Sequence, residues 1–151
     1  MKRRLAPVAA VLAGLTAIAV LVPAQSPGRR YINVPGRTDT NPYSNGVLVG
    51  NTLYLAGTIG LDPKTGNPPA DAETEIRLAM DTWKKVLAQA NMTLDDVVSV
   101  QVHCPDLALY DKFNAVYRTY FSKNFPARAF LGSGPLLRGG RFEIVGVAIK
   151  R

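Results

Sequence analysis

The sequence contains one cysteine, one histidine and one tryptophan in 151 residues. A single cysteine cannot form a disulfide within the chain, so a disulfide-stabilised scaffold is excluded. One cysteine and one histidine are also too few to fill the four ligand positions of a structural zinc site. No block of lysine and arginine is interleaved with aromatic residues, so the sequence gives no indication of a nucleic-acid partner.

The first 24 residues have the three-part pattern of a secretory signal peptide. A basic start at residues 2–4 is followed by a charge-free apolar run at 5–22, and Val22-Pro23-Ala24 supplies small residues at a cleavage site. An uncleaved membrane anchor is the alternative, since the run is close to the shortest that spans a bilayer. Two prolines and a glycine in the segment favour cleavage. We therefore expect an exported protein, periplasmic or secreted, with no membrane contact after signal removal.

Removal of residues 1–24 takes away three basic residues and no acidic one, so the net charge falls from +7 to +4. The 127 residues that remain (151 less 24) are enough for one hydrophobic core and one domain. Residues 25–40 form a lead segment rich in proline, glycine and arginine, and residues 41–151 form the predicted domain.

The pattern of apolar residues predicts an α+β domain. The segments with strand-like patterns are 31–34, 47–57, 97–103, 127–131 and 141–149. Asp71 is the expected N-cap of a first helix that ends near Asn91, with Glu73 and Glu75 in its first turn, where the helix dipole favours acidic residues. A second helix begins after Pro105. The order predicts a five- or six-stranded sheet with two helices on one face.

Both faces of the predicted sheet are apolar. The alternating sets are Leu53/Leu55 with Tyr54/Ala56, and Ile144/Ala148 with Val145/Val147/Ile149. Two helices can cover only one face of such a sheet, so the second face needs another cover. Because no sequence is left to supply it, the pattern favours a homo-oligomer.

Arg128 and Glu143 are the strongest candidates for chemistry. Glu143 is a lone carboxylate at the start of an apolar strand, where an ionised group is costly unless it is paired or used. An arginine fork is the best protein partner for a carboxylate ligand. The pair therefore indicates a pocket that holds a small acid beside one proton-handling group. The alternatives are that Arg128 forms a structural ion pair and that Glu143 bridges a neighbouring subunit.

His103 and Cys104 also invite attention as a thiol nucleophile and its base. Because they are adjacent in a strand, their side chains point to opposite faces and cannot meet within one chain. We interpret His103 as a strand-end surface residue and Cys104 as a small buried hydrophobic residue.

Six short motifs follow one another along residues 41–151. They are Asn41-Pro42-Tyr43-Ser44-Asn45, Leu55-Ala56-Gly57-Thr58-Ile59, Leu94-Asp95-Asp96-Val97-Val98, Phe113-Asn114-Ala115-Val116-Tyr117, Pro126-Ala127-Arg128 and Phe142-Glu143-Ile144. Their order and spacing resemble those of the RidA/YjgF family of imine and enamine deaminases, long labelled endoribonuclease L-PSP. Each motif alone is weak, but six in order are specific.

The resemblance implies a chorismate-mutase-like homotrimer with a mixed sheet and with pockets between subunits. It implies that Arg128 clamps the carboxylate of a 2-imino acid and that Glu143 holds and deprotonates the attacking water. Tyr43 would line the pocket, Gly57 would let the backbone approach the ligand, and Asn114 would sit at the pocket wall. The implied reaction is hydrolysis of small 2-imino or 2-enamino acids to 2-oxo acids and ammonia, without a metal or an organic cofactor.

Several positions depart from the family pattern. Ala56-Gly57-Thr58 stands where Ser-Gly-Gln is usual, and Ala129 and Phe130 stand where a serine and a cysteine or threonine are usual. Thr58 and Phe130 complete the predicted substrate-binding set, and Phe130 narrows or reshapes the pocket. These departures keep open a non-catalytic trimer that binds small carboxylates in the cell envelope. A ribonuclease ranks last, since a nuclease of this size is expected to carry a His/Lys or carboxylate–metal constellation.

Overall fold

The computed structural model describes residues 28–122 and 124–151. The predicted signal peptide, residues 1–24, lies outside the described residues. Strands β1 to β6 are Arg29–Ile32, Gly46–Val49, Thr52–Ile59, Val97–Cys104, Ala127–Gly132 and Glu143–Ile149, and helices α1 and α2 are Ala72–Gln89 and Tyr110–Tyr117. None of the helices in these two ranges combines the length and apolarity that a membrane crossing requires.

The six strands form one mixed sheet in the order β1-β2-β3-β6-β4-β5. Neighbouring strands are antiparallel except β4 and β5, which are parallel. The chain passes from β4 through α2 to β5, the crossover that a parallel pair requires. The predicted α+β class and six-stranded sheet are confirmed, and β5 lies at one edge of the sheet.

Local sequence signals set the turns and helix ends. Gly50 has a φ of 61°, which suits the first position of the two-residue turn between β2 and β3. The Asp71 side chain accepts a hydrogen bond from the backbone N–H of Thr74 at 2.8 Å and caps α1. At the other end, Asn91 has a φ of 54°. The N–H groups of Asn91 and Met92 bond back to carbonyls of the last turn, so the helix ends in a Schellman motif.

The hydrophobic core lies between the sheet and the helices. The buried face of α1 carries Ile76, Met80, Trp83 and Leu87. A Cβ at Gly146 of β6 would lie 2.5 Å from the Trp83 ring, so the sheet contacts α1 closely here. Burying a side chain of this size contributes about 2–3 kcal/mol.

The opposite side of the sheet, here called the open face, carries no helix among the described residues. Large apolar side chains on it are exposed: Tyr31, Tyr54, Leu131 and Ile149. Exposed apolar side chains on an uncovered face of a sheet are a feature of interaction sites. The structure therefore agrees with the two-sided pattern that the sequence predicts for β3 and β6.

The entry to β6 differs from the sequence expectation because of Glu75. Glu75, for which the sequence predicted only a place in the first turn of α1, is fully buried. Its carboxylate accepts hydrogen bonds from the Arg141 backbone N–H at 2.7 Å, from Arg141 Nε at 2.7 Å and from the Phe142 N–H at 3.2 Å. These bonds take the place of ladder pairing, so β6 begins at Glu143 rather than at Arg141.

Candidate functional site

Arg128 lies in β5 with its guanidinium enclosed by aromatic rings. The distances from Cζ to the ring centroids are 4.7 Å for Tyr117, 5.6 Å for Phe113, 5.8 Å for Tyr110 and 5.9 Å for Phe130. Aromatic faces attract a cation and hold its plane without using its hydrogen-bond donors. The side chain is thus held in place, and among residues 28–122 and 124–151 its one hydrogen-bond acceptor is Asn114, which leaves its other donors for a ligand.

Asn114 fixes one edge of the guanidinium. Its Oδ1 accepts a hydrogen bond from Arg128 Nη2 at 2.6 Å, a short bond to a charged donor. Both side chains line a cavity of about 240 Å³, here called the anchor cavity. Its lining residues are Asn114, Tyr117, Arg118, Phe125, Pro126 and Arg128. The structure therefore brings together three predicted site residues, Arg128, Asn114 and Phe130, beside a cavity of small-molecule size.

Tyr117 is a further candidate residue, to which the sequence motifs assign no role. Its hydroxyl is buried and has no hydrogen-bond partner among the described residues. Burial raises its pKa to about 12, so the group stays protonated at neutral pH. The signal was the spacing of aromatic residues at 110, 113 and 117, which places three rings on one side of α2.

Glu143 begins β6 and is half-buried on the open face. The pairing of β3 with β6 shifts between Leu55 and Thr58, so three steps along β3 oppose two along β6. Gly57 lies in this bulge, and a Cβ there would be 2.1 Å from Glu143 Oε1. The carboxylate therefore lies over the bare backbone of Gly57. Bulges of this kind often re-aim side chains near active sites.

Arg128 and Glu143 point to opposite faces of the sheet. Arg128 pairs with Val100 of β4, which in turn pairs with Gly146 of β6. Both Val100 and Gly146 lie on the helix side of the sheet. Glu143 is three positions from Gly146, an odd number, so its side chain points to the open face. Within one protomer, the sheet separates the two predicted catalytic groups.

Tyr43 and Thr58 lie on either side of the bulge. Tyr43 is 52% exposed, and its loop is tied to the bulge by the Ala56 N–H, which donates to the Asn45 carbonyl at 3.0 Å. Thr58 points to the helix side, where its buried hydroxyl donates to the Ala56 carbonyl at 3.1 Å. Gly57 is therefore in contact with Glu143, the Tyr43 loop is bonded to the residue before Gly57, and Thr58 points to the face opposite Glu143.

Arg37, in the lead segment, organises the loop that carries Tyr43. The guanidinium binds Asp39 through two bonds of 2.6 and 2.7 Å, donates to the Tyr43 carbonyl at 2.8 Å, and lies 4.7 Å from the Tyr43 ring centroid. The hydrogen bond from Arg37 holds the pKa of Asp39 below its usual value. Nothing in residues 37–45 predicted this arrangement beyond the presence of opposite charges two positions apart.

Among residues 28–122 and 124–151, no group of three or more His, Cys, Asp or Glu side chains is placed to hold a metal ion. Cys104 is buried, its Sγ donates to the Asp106 carbonyl at 3.0 Å, and burial raises the pKa of the thiol. A thiol in this state is a poor nucleophile, so Cys104 packs as a small hydrophobic residue.

Comparison with known proteins identifies relatives of this chain. The family model described as endoribonuclease L-PSP matches residues 37–150. A human 2-iminobutanoate/2-iminopropanoate deaminase is 36% identical over 110 residues, which cover 72% of this chain and 80% of the human protein.

Two solved structures from Escherichia coli share the fold. The product of the yjgF gene superposes with a TM-score of 0.75 at 30% identity, covering 81% of this chain and 99% of the other. TdcF with bound serine gives a TM-score of 0.73 at 26% identity, with coverage of 81% and 99%. Its ligand is a small amino acid that carries a carboxylate.

Proposed function

This chain belongs to the RidA/YjgF family, also described as endoribonuclease L-PSP, and on that premise we propose that it hydrolyses small 2-imino and 2-enamino acids to 2-oxo acids and ammonia. The family and the chorismate-mutase-like fold expected from the six motifs are confirmed. The observation that carries the proposal is the aromatic enclosure of Arg128, which leaves guanidinium donors free at the anchor cavity.

In this proposal Arg128 binds the substrate carboxylate through paired N–H···O bonds. Asn114 and the surrounding rings hold the guanidinium in one orientation, so little side-chain entropy is lost when the ligand binds. Fixing the carboxylate also fixes the adjacent imine carbon relative to any group that delivers water. Phe130, beside the guanidinium, would limit the size of the substrate side chain.

In this proposal Glu143 accepts the protons of the attacking water. Its carboxylate accepts a proton from a water molecule as the oxygen forms a bond to the imine carbon, and it passes that proton to the nitrogen, which gives a neutral carbinolamine and an ionised Glu143. Glu143 then accepts the hydroxyl proton as the carbonyl forms and delivers it to the nitrogen as the carbon–nitrogen bond breaks, so that ammonia leaves. One imine and one water yield one 2-oxo acid and one ammonia, so no oxidant or cofactor is needed.

The site requires two protomers. Because Arg128 and Glu143 point to opposite faces of one sheet, they share a cleft only if β5 of one protomer meets the open face of its neighbour. The exposed apolar residues of the open face and the edge position of β5 support such a contact. We propose a homotrimer with three clefts of this kind, as the family resemblance implies. Export of the protein, periplasmic or secreted, remains part of this proposal.

An imine-trapping assay tests the activity. An amino-acid oxidase supplies 2-iminobutanoate, semicarbazide traps it, and the protein is expected to lower the yield of trapped product by hydrolysing the imine first. Arg128→Ala and Glu143→Gln are expected to abolish this effect, whereas Lys85→Ala, an exposed charge on α1, leaves it unchanged. Equal trapping with and without the protein would rule out deaminase activity.

A second candidate is a trimer that binds small carboxylates without turning them over. The observation in its favour is Phe130, whose ring packs edge-on against Tyr110 at 5.0 Å and Phe113 at 5.5 Å between centroids. The apolar ring of Phe130 fills space beside Arg128, and it has no polar group that could orient a water molecule. Calorimetric binding of 2-oxobutanoate, together with a null result in the trapping assay, would support this function instead.

A further inference from the structure

Two arginine residues line the anchor cavity. Arg128 lies in β5, and Arg118 follows the last residue of α2. Both line the same cavity of about 240 Å³, and none of its six lining residues is acidic. Two arginines beside one small cavity give it more positive charge than one substrate carboxylate neutralises.

The two arginines differ in how they are held. Arg128 is oriented by Asn114 and four rings, as described above. The Arg118 side chain is exposed and has neither a hydrogen bond nor an ion pair among the described residues. By comparison, Arg37 and Arg141 each bind a carboxylate at 2.6–2.7 Å. Arg118 is therefore available to a ligand in the cavity.

The other residues of the wall add apolar surface to the cavity. Phe125 and Pro126 contribute a ring and a rigid pyrrolidine, and Tyr117 contributes a ring whose phenol stays protonated. Two arginines and an apolar surface around one cavity complement a ligand with a short hydrocarbon chain between two anionic ends.

We propose that the preferred substrates are 2-imino dicarboxylic acids, with Arg128 binding the carboxylate next to the imine and Arg118 binding the carboxylate of the side chain. This inference rests on the proposed function and specifies its substrate class. Because Arg118 is exposed, its contribution is modest: removal of the charge is expected to cost roughly five- to tenfold in kcat/KM for a dicarboxylate.

The test compares two imines in one trapping assay. L-Glutamate oxidase supplies 2-iminoglutarate, and a general amino-acid oxidase supplies 2-iminobutanoate. The wild-type protein is expected to have the higher kcat/KM for 2-iminoglutarate, and raising the salt concentration is expected to reduce that preference. Arg118→Ala is expected to lower kcat/KM for 2-iminoglutarate more than for 2-iminobutanoate, and Arg118→Lys is expected to retain part of the preference. Lys85→Ala, the matched loss of an exposed charge elsewhere, is expected to change neither value.

Binding measurements separate the two ways in which the test can fail. Calorimetry with 2-oxoglutarate and 2-oxobutanoate reports the ligand preference even if no imine is turned over. If both imines are hydrolysed but Arg118→Ala changes them equally, the substrate inference is wrong and the deaminase proposal stands. If neither imine is hydrolysed, the deaminase proposal is wrong. An Arg118-dependent preference for 2-oxoglutarate would then still support the ligand class, and its absence would overturn that too.

Discussion

The Glu143 carboxylate occupies the space that a side chain at Gly57 would need, since a Cβ there would lie 2.1 Å from Glu143 Oε1. Gly57→Ala therefore has to displace the carboxylate. Because the displaced atom is the end of a flexible side chain, the fold tolerates the change, and we expect stability to change by less than about 1 kcal/mol. The imine-trapping assay is expected to show a loss of roughly tenfold to a hundredfold in kcat, since catalysis is sensitive to a 1 Å misplacement.

Gly134→Ala is the matched control for this change. A Cβ at Gly134 meets no heavy atom within 4 Å, so the same substitution adds the same methyl group without displacing anything. We expect Gly134→Ala to retain full activity. Retention of full activity by Gly57→Ala as well would mean that the present position of Glu143 has no part in the reaction.

The short hydrogen bond between Asn114 and Arg128 leads to a second prediction. Asn114→Asp replaces a neutral acceptor at 2.6 Å from Nη2 with a carboxylate. That carboxylate pairs with the guanidinium and competes with the ligand for its charge. We expect binding of 2-oxobutanoate to weaken about tenfold or more, measured by calorimetry, and KM in the trapping assay to rise with little change in kcat.

Asn114→Ala distinguishes competition from loss of orientation. It removes the acceptor without adding charge, so binding is expected to weaken by less than in Asn114→Asp. If both variants bind 2-oxobutanoate as the wild type does, Asn114 has no role in preparing Arg128 for a ligand.

The sequence predicted correctly those features of the fold that are determined by residues close together in the chain. Asp71 caps α1 because its side chain reaches the N–H of Thr74, three positions away, and Asn91 ends the helix because it adopts a positive φ. Such signals are local, so the pattern of residue types is sufficient to detect them.

The features that the sequence did not predict depend on contacts between distant segments. Glu75 and Arg141 are 66 positions apart, and nothing near either residue indicates that a first-turn glutamate becomes buried. The bulge in β3 that brings Gly57 under Glu143 results from pairing with β6. The sequence indicates Arg128 and Glu143 as a functional pair. Their placement on opposite faces of the sheet follows only from the pairing of the strands.

The Glu75–Arg141 pair gives a prediction about stability. Glu75→Ala leaves the Arg141 and Phe142 donors without their acceptor and opens a cavity where a buried carboxylate had been. Breaking a buried ion pair from one side costs about 3–5 kcal/mol, and we expect a loss of that size in the free energy of unfolding. Urea denaturation at a fixed protein concentration measures it, since assembly affects the apparent stability.

Glu73→Ala is the control, because Glu73 lies in the same first turn but is exposed. Its loss removes only a favourable interaction with the helix dipole, worth about 0.3–1 kcal/mol. Similar losses for the two variants would show that the buried bonds of Glu75 contribute no more than a surface charge.

The Arg37–Asp39 pair gives a prediction about pH. The hydrogen bond from Arg37 lowers the pKa of Asp39 below its ordinary value of 3.8, so the stabilising contribution of the carboxylate is present above pH 3.8 and is lost as the pH falls through the lowered pKa. A carbon-13 NMR titration of the Asp39 carboxyl group measures this pKa. We expect Arg37→Gln to raise it toward 3.8, and an unchanged value would assign the shift to the Asn41 N–H instead.

The Tyr117 hydroxyl gives a prediction at the other end of the pH scale. Burial raises its pKa from 10.0 to about 12, so the folded protein holds the phenolic proton more tightly than the unfolded chain does. The resulting stability is fully present below pH 10 and is lost as the pH rises to about 12. Denaturation curves measured across that interval are expected to show a smaller decline for Tyr117→Phe than for the wild type.

At neutral pH the same substitution removes a buried hydroxyl that lacks a hydrogen-bond partner among the described residues. An unsatisfied group of this kind costs about 1–3 kcal/mol, so we expect Tyr117→Phe to be neutral or stabilising at pH 7. The ring beneath Arg128 is retained, which leaves the cation–π contact at 4.7 Å intact. A clear loss of stability at pH 7 would mean that the hydroxyl has a partner in the assembled protein, such as a bound water or a group from a neighbouring protomer.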